Sequence, residues 1–543
     1  MFVRPDRLLR ALIVPALIIP AACGITAPLC PVDSSPGHGM DGGVASGLST
    51  AALSTPSPTA ADTAIVTVSE CGIAVAVLVT ESSTPPAADA PWQTCDVSAG
   101  SLSLAYHLTS GGLHTLSVWI RDAEGDVLET PRRFDIVHGS MFAPGDAHTC
   151  SLVAGRVQCW GDNTWGQLGD GSKAAGSALA VTVQGLDSGV SGVTSASHAN
   201  HSCALKSGGV LCWGVNAAGQ LGNPAVNKPC GADATPCSRT PVQVVDGAGV
   251  ALGGVVSISA GAAHTCARVS DGSMYCWGDN SAFELGLGPQ STAVRFATKA
   301  TQFGAITRLV SGVLDTCALT TTGWKCVGLD HTNQVPVADF GPGSSLLNVT
   351  GVVPCTHDAL CQSAATPPAA LAGAAEADEI GLGYYHACAR VGGAAVCWGA
   401  NHLGQYGDGS VVPGTSGSTV ALSGKTDLVI SGAHHACARL VGGGVECWGV
   451  NDAGQLGQAT TDVCSDSFQC ARKPVVVTGL TDVADMAAGR LQTCAASNGH
   501  VLCWGGNRGA MLGSVTTTTC GDSTGHELPC TRAPQAVAGV GTR

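Results

Sequence analysis

The chain has 543 residues and a formal net charge of −14 at pH 7; 45% of it is apolar, only 12% charged and 4% aromatic, and it carries 74 glycines and 26 cysteines. That length suits several domains or one large repeat array, and the apolar fraction suits a buried core. The acidic balance argues against nucleic acid and anionic membrane surfaces as partners, since both attract basic patches, and high glycine with few charges indicates short strands joined by tight turns.

Residues 1–22 read as an export signal. Arg4, Arg7 and Arg10 precede the apolar run ALIVPALIIPAAC, which is interrupted by Pro15 and Pro20 and is too short to cross a bilayer as a helix. Ala21 and Ala22 then precede Cys23. The arrangement resembles a bacterial lipoprotein signal, in which the cysteine is lipidated and becomes the new N-terminus, although Pro20 stands where leucine is usual. Cys23 is the expected lipid anchor, with plain signal-peptidase cleavage as the alternative. Residues 23–61 are rich in Ala, Gly, Ser, Thr and Pro and read as a flexible linker. Cys30 lies there without an evident partner.

Residues 62–137 contain short alternating strands such as TAIVTVS, LSLAYHL and GLHTLSVWIRDAEGDVLE. The last stretch resembles the closing hairpin of bacterial immunoglobulin-like domains, which implies a small β-sandwich. Cys71 and Cys95 are expected to pair, and Trp92 and Trp119 to be core. The acidic DAEGD (122–126) lacks a twelve-residue calcium-loop pattern and reads as a hairpin turn.

From residue 138 onward one unit recurs seven times: two cysteines nine or ten residues apart with a glycine-containing turn between them. Outside a reducing cytosol such cysteines suggest disulfides, and the spacing fits hairpin geometry. In CALKSGGVLC a two-residue turn at Ser207-Gly208 sets Cys203 opposite Cys212. A three-residue loop, Ser270-Asp271-Gly272, does the same for Cys266 and Cys276. Directly opposed residues on antiparallel strands lie about 4.5–5.5 Å apart, within disulfide range. The expected hairpin pairs are Cys150 with Cys159, Cys203 with Cys212, Cys266 with Cys276, Cys317 with Cys326, Cys388 with Cys397, Cys437 with Cys447 and Cys494 with Cys503. CxxC-like zinc spacing is lacking in these pairs.

Each hairpin is followed by WG, an Asn two residues on, and a GQLG-like end, as in CWGVNAAGQLG (212–222); Val327 replaces the Trp in the fourth unit. Ahead of most hairpins stand a Gly and a His, as in GAAHTC. These elements, recurring in order over roughly 140–543, resemble the regulator of chromosome condensation (RCC1) repeat family. The resemblance implies an all-β fold: a seven-bladed β-propeller with four-stranded blades over residues 138–543. Seven repeats of short strands indicate the same radial architecture.

His148, His201, His264, His386 and His435 share one repeat position, with Asp315 and Gln492 in the other two units. A metal-binding ring of histidines is one reading; the preferred one is a local hydrogen bond within each blade. The WG tryptophans are expected to pack between blades. Asn163, Asn216, Asn280, Asn401, Asn451 and Asn507 suit the turn that follows. Four units carry a second cysteine pair after the GQLG-like strand: Cys230 with Cys237, Cys355 with Cys361, Cys464 with Cys470 and Cys520 with Cys530. Sharing one repeat position, these stapled loops should emerge on one face, where binding normally resides. The terminal segment 532–540, similar to RTPVQVV, is expected to pair within the first blade and close the ring.

No nucleophile elbow, HExxH, Walker loop or dinucleotide fingerprint occurs in the sequence, so the reading is a non-enzyme without metal or cofactor. The expected function is an exported, lipid-anchored or secreted monomer of the cell envelope that binds a protein or glycan through one propeller face. A secreted inhibitor of the β-lactamase-inhibitor propeller type is one alternative, though it would want an aromatic-rich face. A purely structural envelope component is another. Guanine nucleotide exchange and chromatin binding, the best-known activities of the family, fit an exported acidic chain poorly.

Overall fold

Glycine turns cut the apolar and β-branched runs into strands, and strands are the extended elements of the described residues. The computed structural model describes residues 51–53 and, with short breaks, 63–329, 361–365 and 377–541. Among the described residues there is no α-helix, only the short 3-10 turn Arg508–Ala510. The expected signal peptide, Cys23, Cys30 and most of the expected linker lie outside them.

The N-terminal portion has two layers. Ala51–Leu53, Thr63–Val68 and Leu102–His107 form one sheet; Gln93–Thr94, Ala76–Thr80, Gly112–Arg121 and Arg132–His138 form the other. A single core cluster that includes Val66, Leu104, Val77 and Leu116 draws on both. Ala51–Leu53 falls inside the segment read as linker, yet pairs with Val66–Val68. A three-residue apolar edge strand is too short to stand out from a window rich in Ala, Ser and Thr. Cys71 is bonded to Cys95. Trp119 is fully buried, but on the face away from this core, alternating with Val118 and Ile120; its Nε1 donates to Thr80 Oγ1 at 3.1 Å. Trp92 departs from the core expectation. It is only half-buried beside the exposed edge strand Gln93–Thr94, with the Arg121 guanidinium 5.0 Å from its ring centroid. In DAEGD, Asp122 Oδ1 accepts from the backbone N–H groups of Glu124 and Asp126, which makes the segment a turn.

The remainder forms antiparallel sheets of one plan, seven among the described residues. The second is representative: Val190–Thr194, His201–Lys206, Gly209–Val215 and Cys237–Gln243 lie side by side in sequence order. The sixth and seventh add short edge strands, Asp462–Cys464 and Thr519–Gly521. In the first, Phe142–Pro144 and Arg156–Asp162 flank His148–Val153, which also meets Gly112–Arg121 through one parallel pair, Leu113 with Val153. The first strands of all these sheets line one common cavity, which is the architecture of a β-propeller.

Turn chemistry sets the central hairpins. Ser207 and Gly208 both have positive φ, 52° and 73°, the two-residue turn that suits a right-handed strand twist. Gly272, at φ 83°, ends the three-residue loop of the third sheet. Cys203 therefore opposes Cys212, and Cys266 opposes Cys276. Both pairs are bonded, with Cα atoms 4.1 Å apart. The other five hairpins are joined as expected. Cys150 is bonded to Cys159 and Cys317 to Cys326. Cys388 is bonded to Cys397, Cys437 to Cys447 and Cys494 to Cys503.

The terminal segment does not pair within the first sheet. Glu527–Gly541 is the neighbour of His500–Gly506, so 532–540 belongs to the seventh sheet. Its counterpart RTPVQVV likewise closes its own sheet rather than opening the next. Each sheet thus takes its four main strands from one contiguous stretch. The first and seventh sheets meet through side chains instead. Trp160 Nε1 donates to the Met511 carbonyl at 2.9 Å, Met141 N to Asp485 Oδ2 at 3.0 Å, and Arg490 pairs with Asp146 at 2.8 Å.

Candidate functional site

The recurrent residues near each turn form the joints between sheets. Asn216 Oδ1 accepts from Leu221 N at 2.9 Å and so folds the GQLG turn over itself. Asn163, Asn280, Asn401, Asn451 and Asn507 do the same. The folded turn presents a carbonyl to the following sheet. Trp213 Nε1 donates to Gln167 O, Trp277 to Gln220 O, Trp448 to Gln405 O and Trp504 to Gln455 O, all at 2.8–3.0 Å. The WG tryptophans are therefore inter-sheet pegs rather than exposed platforms.

Four of the five histidines, His148, His201, His264 and His435, act between sheets too, not within their own. His148 Nε2 meets Ser202 Oγ at 2.8 Å; His201 meets Thr265, His264 meets Thr316 and His435 meets Thr493, each at 2.9 Å and each in the next sheet. Thr265 gives its single proton to the Gln220 carbonyl and Thr493 gives its own to Gln455. His201 and His435 must then donate through Nε2–H. Burial holds His148 and His264 down to about 4 and His201 and His435 down to about 3, so they are neutral at pH 7. Gln492, in the histidine position of the seventh sheet, donates to the Gly145 carbonyl of the first at 3.1 Å. The glycine three residues ahead has a cause as well: a Cβ at Gly261, Gly383 or Gly432 would overlap the imidazole of the histidine that follows.

Departures from that pattern gather side chains from distant repeats. His198 stands where the other repeats have glycine, and Tyr384, His434, Arg490 and Asp146 occupy the two positions between Gly and His. The His198 and Tyr384 rings lie 4.8 Å apart, Tyr384 and His434 5.8 Å, and Val313 and Ala433 pack against Tyr384. Burial, then Arg490 and His434, push His198 down to about 3; burial and Arg490 push His434 down to about 4. The cluster is a largely neutral plug drawn from loops that leave the innermost strands. Sequence reasoning missed it, although His198 in the glycine position and the residues between Gly and His are visible in the sequence.

The stapled loops occupy one repeat position. Cys237 opposes Val215, Cys470 opposes Val450 and Cys530 opposes Gly506, each three residues beyond the second hairpin cysteine. Cys230 is bonded to Cys237, Cys464 to Cys470 and Cys520 to Cys530. In the fourth sheet Cys361 takes the equivalent place, opposite Leu329. Cys355 lies outside the described residues, and the expected bond between Cys355 and Cys361 lies outside them with it. The third strand of each sheet ends at the side where the first one ends, so these loops and the plug share one face. On that face the third-to-fourth connections of three successive sheets carry exposed apolar groups: Val412 (70% exposed), Val463 (52%), Phe468 (37%) and Val515 (85%). Disulfides here stiffen loops whose side chains face solvent rather than core.

Models of the regulator of chromosome condensation (RCC1) repeat match residues 207–268 and 443–496, and a second model of the same repeat matches 255–283. Human probable E3 ubiquitin-protein ligase HERC6 is 37% identical over 147 residues, 27% of this chain and 13% of that protein. Mouse E3 ubiquitin-protein ligase HERC2 is 27% identical over 273 residues, 45% of this chain and 5% of that protein. The chain thus spans a small part of the length of these relatives. Among solved structures, yeast RCC1 (Prp20) bound to Kap60 aligns with a TM-score of 0.54 at 18% identity, covering 74% of this chain and 85% of that one. Prp20p from Saccharomyces cerevisiae gives a TM-score of 0.54 at 19% identity, over 72% and 87%. At that identity the likeness is one of fold: an RCC1-like propeller.

Proposed function

We propose that this chain is an exported, non-catalytic binding protein that grips a protein partner with the propeller face bearing the stapled loops. In this reading the seven sheets are the blades of one closed ring over 138–543, and the N-terminal portion is an immunoglobulin-like sandwich. Residues 1–22 direct export, and Cys23 anchors the chain to the cell envelope through 23–61. The abundance of disulfides supports an oxidising compartment.

The observation that carries the reading is the row Val412, Val463, Phe468 and Val515 on consecutive third-to-fourth connections, two of them stapled. Exposed apolar groups on successive loops of one face suit a protein surface. A glycan would want exposed aromatic rings, and the WG tryptophans are buried. The test is cross-linking of the full chain on the surface of the producing cells. Wild type is set against a quadruple variant carrying Val412→Asp, Val463→Asp, Phe468→Asp and Val515→Asp. A discrete partner joined to wild type and lost from the folded variant is the expected result. The same partner joined equally to both would contradict the assignment of this face.

A further inference from the structure

The innermost strands line a cavity of about 540 Å³, with Ser257, Ser259 and Ser431 among the small hydroxyl groups on its wall. Several of these hydroxyls are engaged between sheets. Ser259 Oγ accepts from Ser311 N at 2.8 Å, and Ser431 Oγ donates to the Gly381 carbonyl at 3.1 Å. The charged groups on the lining are Arg268, Arg308, Glu379 and Asp485.

Three repeats place an arginine two residues after the first hairpin cysteine: Arg268, Arg390 and Arg439. In the sixth sheet the charge is answered. Arg439 Nε donates to Asp427 Oδ1 at 2.7 Å, and Nη1 donates to the carbonyls of Val483 and Ala484 at 3.1 and 2.6 Å. In the fifth, Arg390 faces Glu379 across the strand pair. In the third, Arg268 faces Ser257, and the bulged residue that corresponds to Asp427 is Val256. No carboxylate stands at either place. Arg268 Nε is buried and makes no hydrogen bond. The residue as a whole is half-buried; a guanidinium stays protonated there, and its fork matches a carboxylate in two bonds.

We propose that Arg268 holds the carboxylate of a small organic ligand in the axial cavity, supplying from outside the partner that Asp427 gives Arg439. Arg308 on the same lining and Arg390 across from Glu379 offset the two carboxyls there, so what the site asks of its ligand is one carboxylate for Arg268. The ligand class is therefore the small carboxylates, α-amino acids included.

The substitution Val256→Asp tests this directly, because it builds the missing carboxylate into the chain at a position already 44% exposed. Binding of acetate, glycine and succinate to the full chain is followed by saturation-transfer NMR and thermal melting. Acetate and glycine are expected to bind wild type, and succinate to bind through one of its carboxylates. Val256→Asp and Arg268→Gln should each weaken acetate at least about tenfold, with Val256→Asp melting no lower than wild type. Unchanged acetate binding in Val256→Asp, or no binding of any probe to wild type, would overturn the site. Should Arg268→Gln fail to fold, Val256→Asp alone decides the matter.

Discussion

Glu284 occupies the turn position held by Gln167, Gln220, Gln405 and Gln455 in other repeats. Gln167 Oε1 accepts from Trp165 N at 2.8 Å, and its Nε2 donates to Asp162 Oδ2 at 2.9 Å. Glu284 Oε2 accepts from Ala282 N in the same way, but its second oxygen is buried with no hydrogen bond. Burial first, and Asp279 second, push its pKa up to about 8. A protonated carboxyl imitates the amide; an ionised one does not. Because the folded pKa lies above the unfolded value, its stability contribution is whole below pH 4.5 and is lost as pH rises toward 8. Glu284→Gln should accordingly raise the melting temperature, by little near pH 4.5 and by most at pH 8. A gain that shrinks with pH would show that Glu284 is ionised in the fold. The sequence displays the Gln-to-Glu exchange but not the proton, which depends on a burial that only packing creates. The histidines illustrate the same limit. Their position was legible, but the hydroxyl partners of His201 and His264 lie 64 and 52 residues away in the next sheet, and spacing within one repeat does not reach that far.

Hairpins were readable because their constraint is local: turn length and glycine placement fix which residues oppose. Removing one cross-link should therefore act on that element first. Cys203→Ala with Cys212→Ala deletes a bridge between residues nine apart, which restricts the unfolded chain by about 2–3 kcal/mol. The double variant should melt lower by a corresponding amount while keeping the same fold. An unaltered unfolding midpoint would show that the bond is absent or idle in the native protein. Strand ownership was less readable. RTPVQVV stands between two sheets in a periodic chain and RAPQAVAGV is its counterpart, so sequence order alone leaves both assignments open. Hydrogen bonding to Gly209–Val215 and His500–Gly506 decides it. Neither the plug around Tyr384 nor the unanswered Arg268 follows from any one repeat. Each appears only when equivalent positions are compared across the sheets.

At the scale of the whole molecule, the first and last sheets meet through the bond used at the other joints. Trp160 Nε1 reaches Met511 O as Trp277 reaches Gln220 O, and each carbonyl also accepts from a threonine, Thr149 or Thr265. Trp160→Phe and Trp277→Phe should then cost similar stability, about 0.5–1.5 kcal/mol each for the hydrogen bond lost. A harmless Trp160→Phe beside a costly Trp277→Phe would mean that the seam stands open in solution. In the proposed function the ring works in an oxidising compartment, since its hairpins and face loops are cross-linked in sheet after sheet. Peptide mapping of the protein taken from its producing cells, alkylated before digestion and kept unreduced, tests that claim most directly. The predicted result is Cys203 joined to Cys212, Cys437 to Cys447 and Cys464 to Cys470, with the other hairpin pairs alike. Alkylated, free thiols at Cys203 and Cys212 would contradict both the pairing and the export.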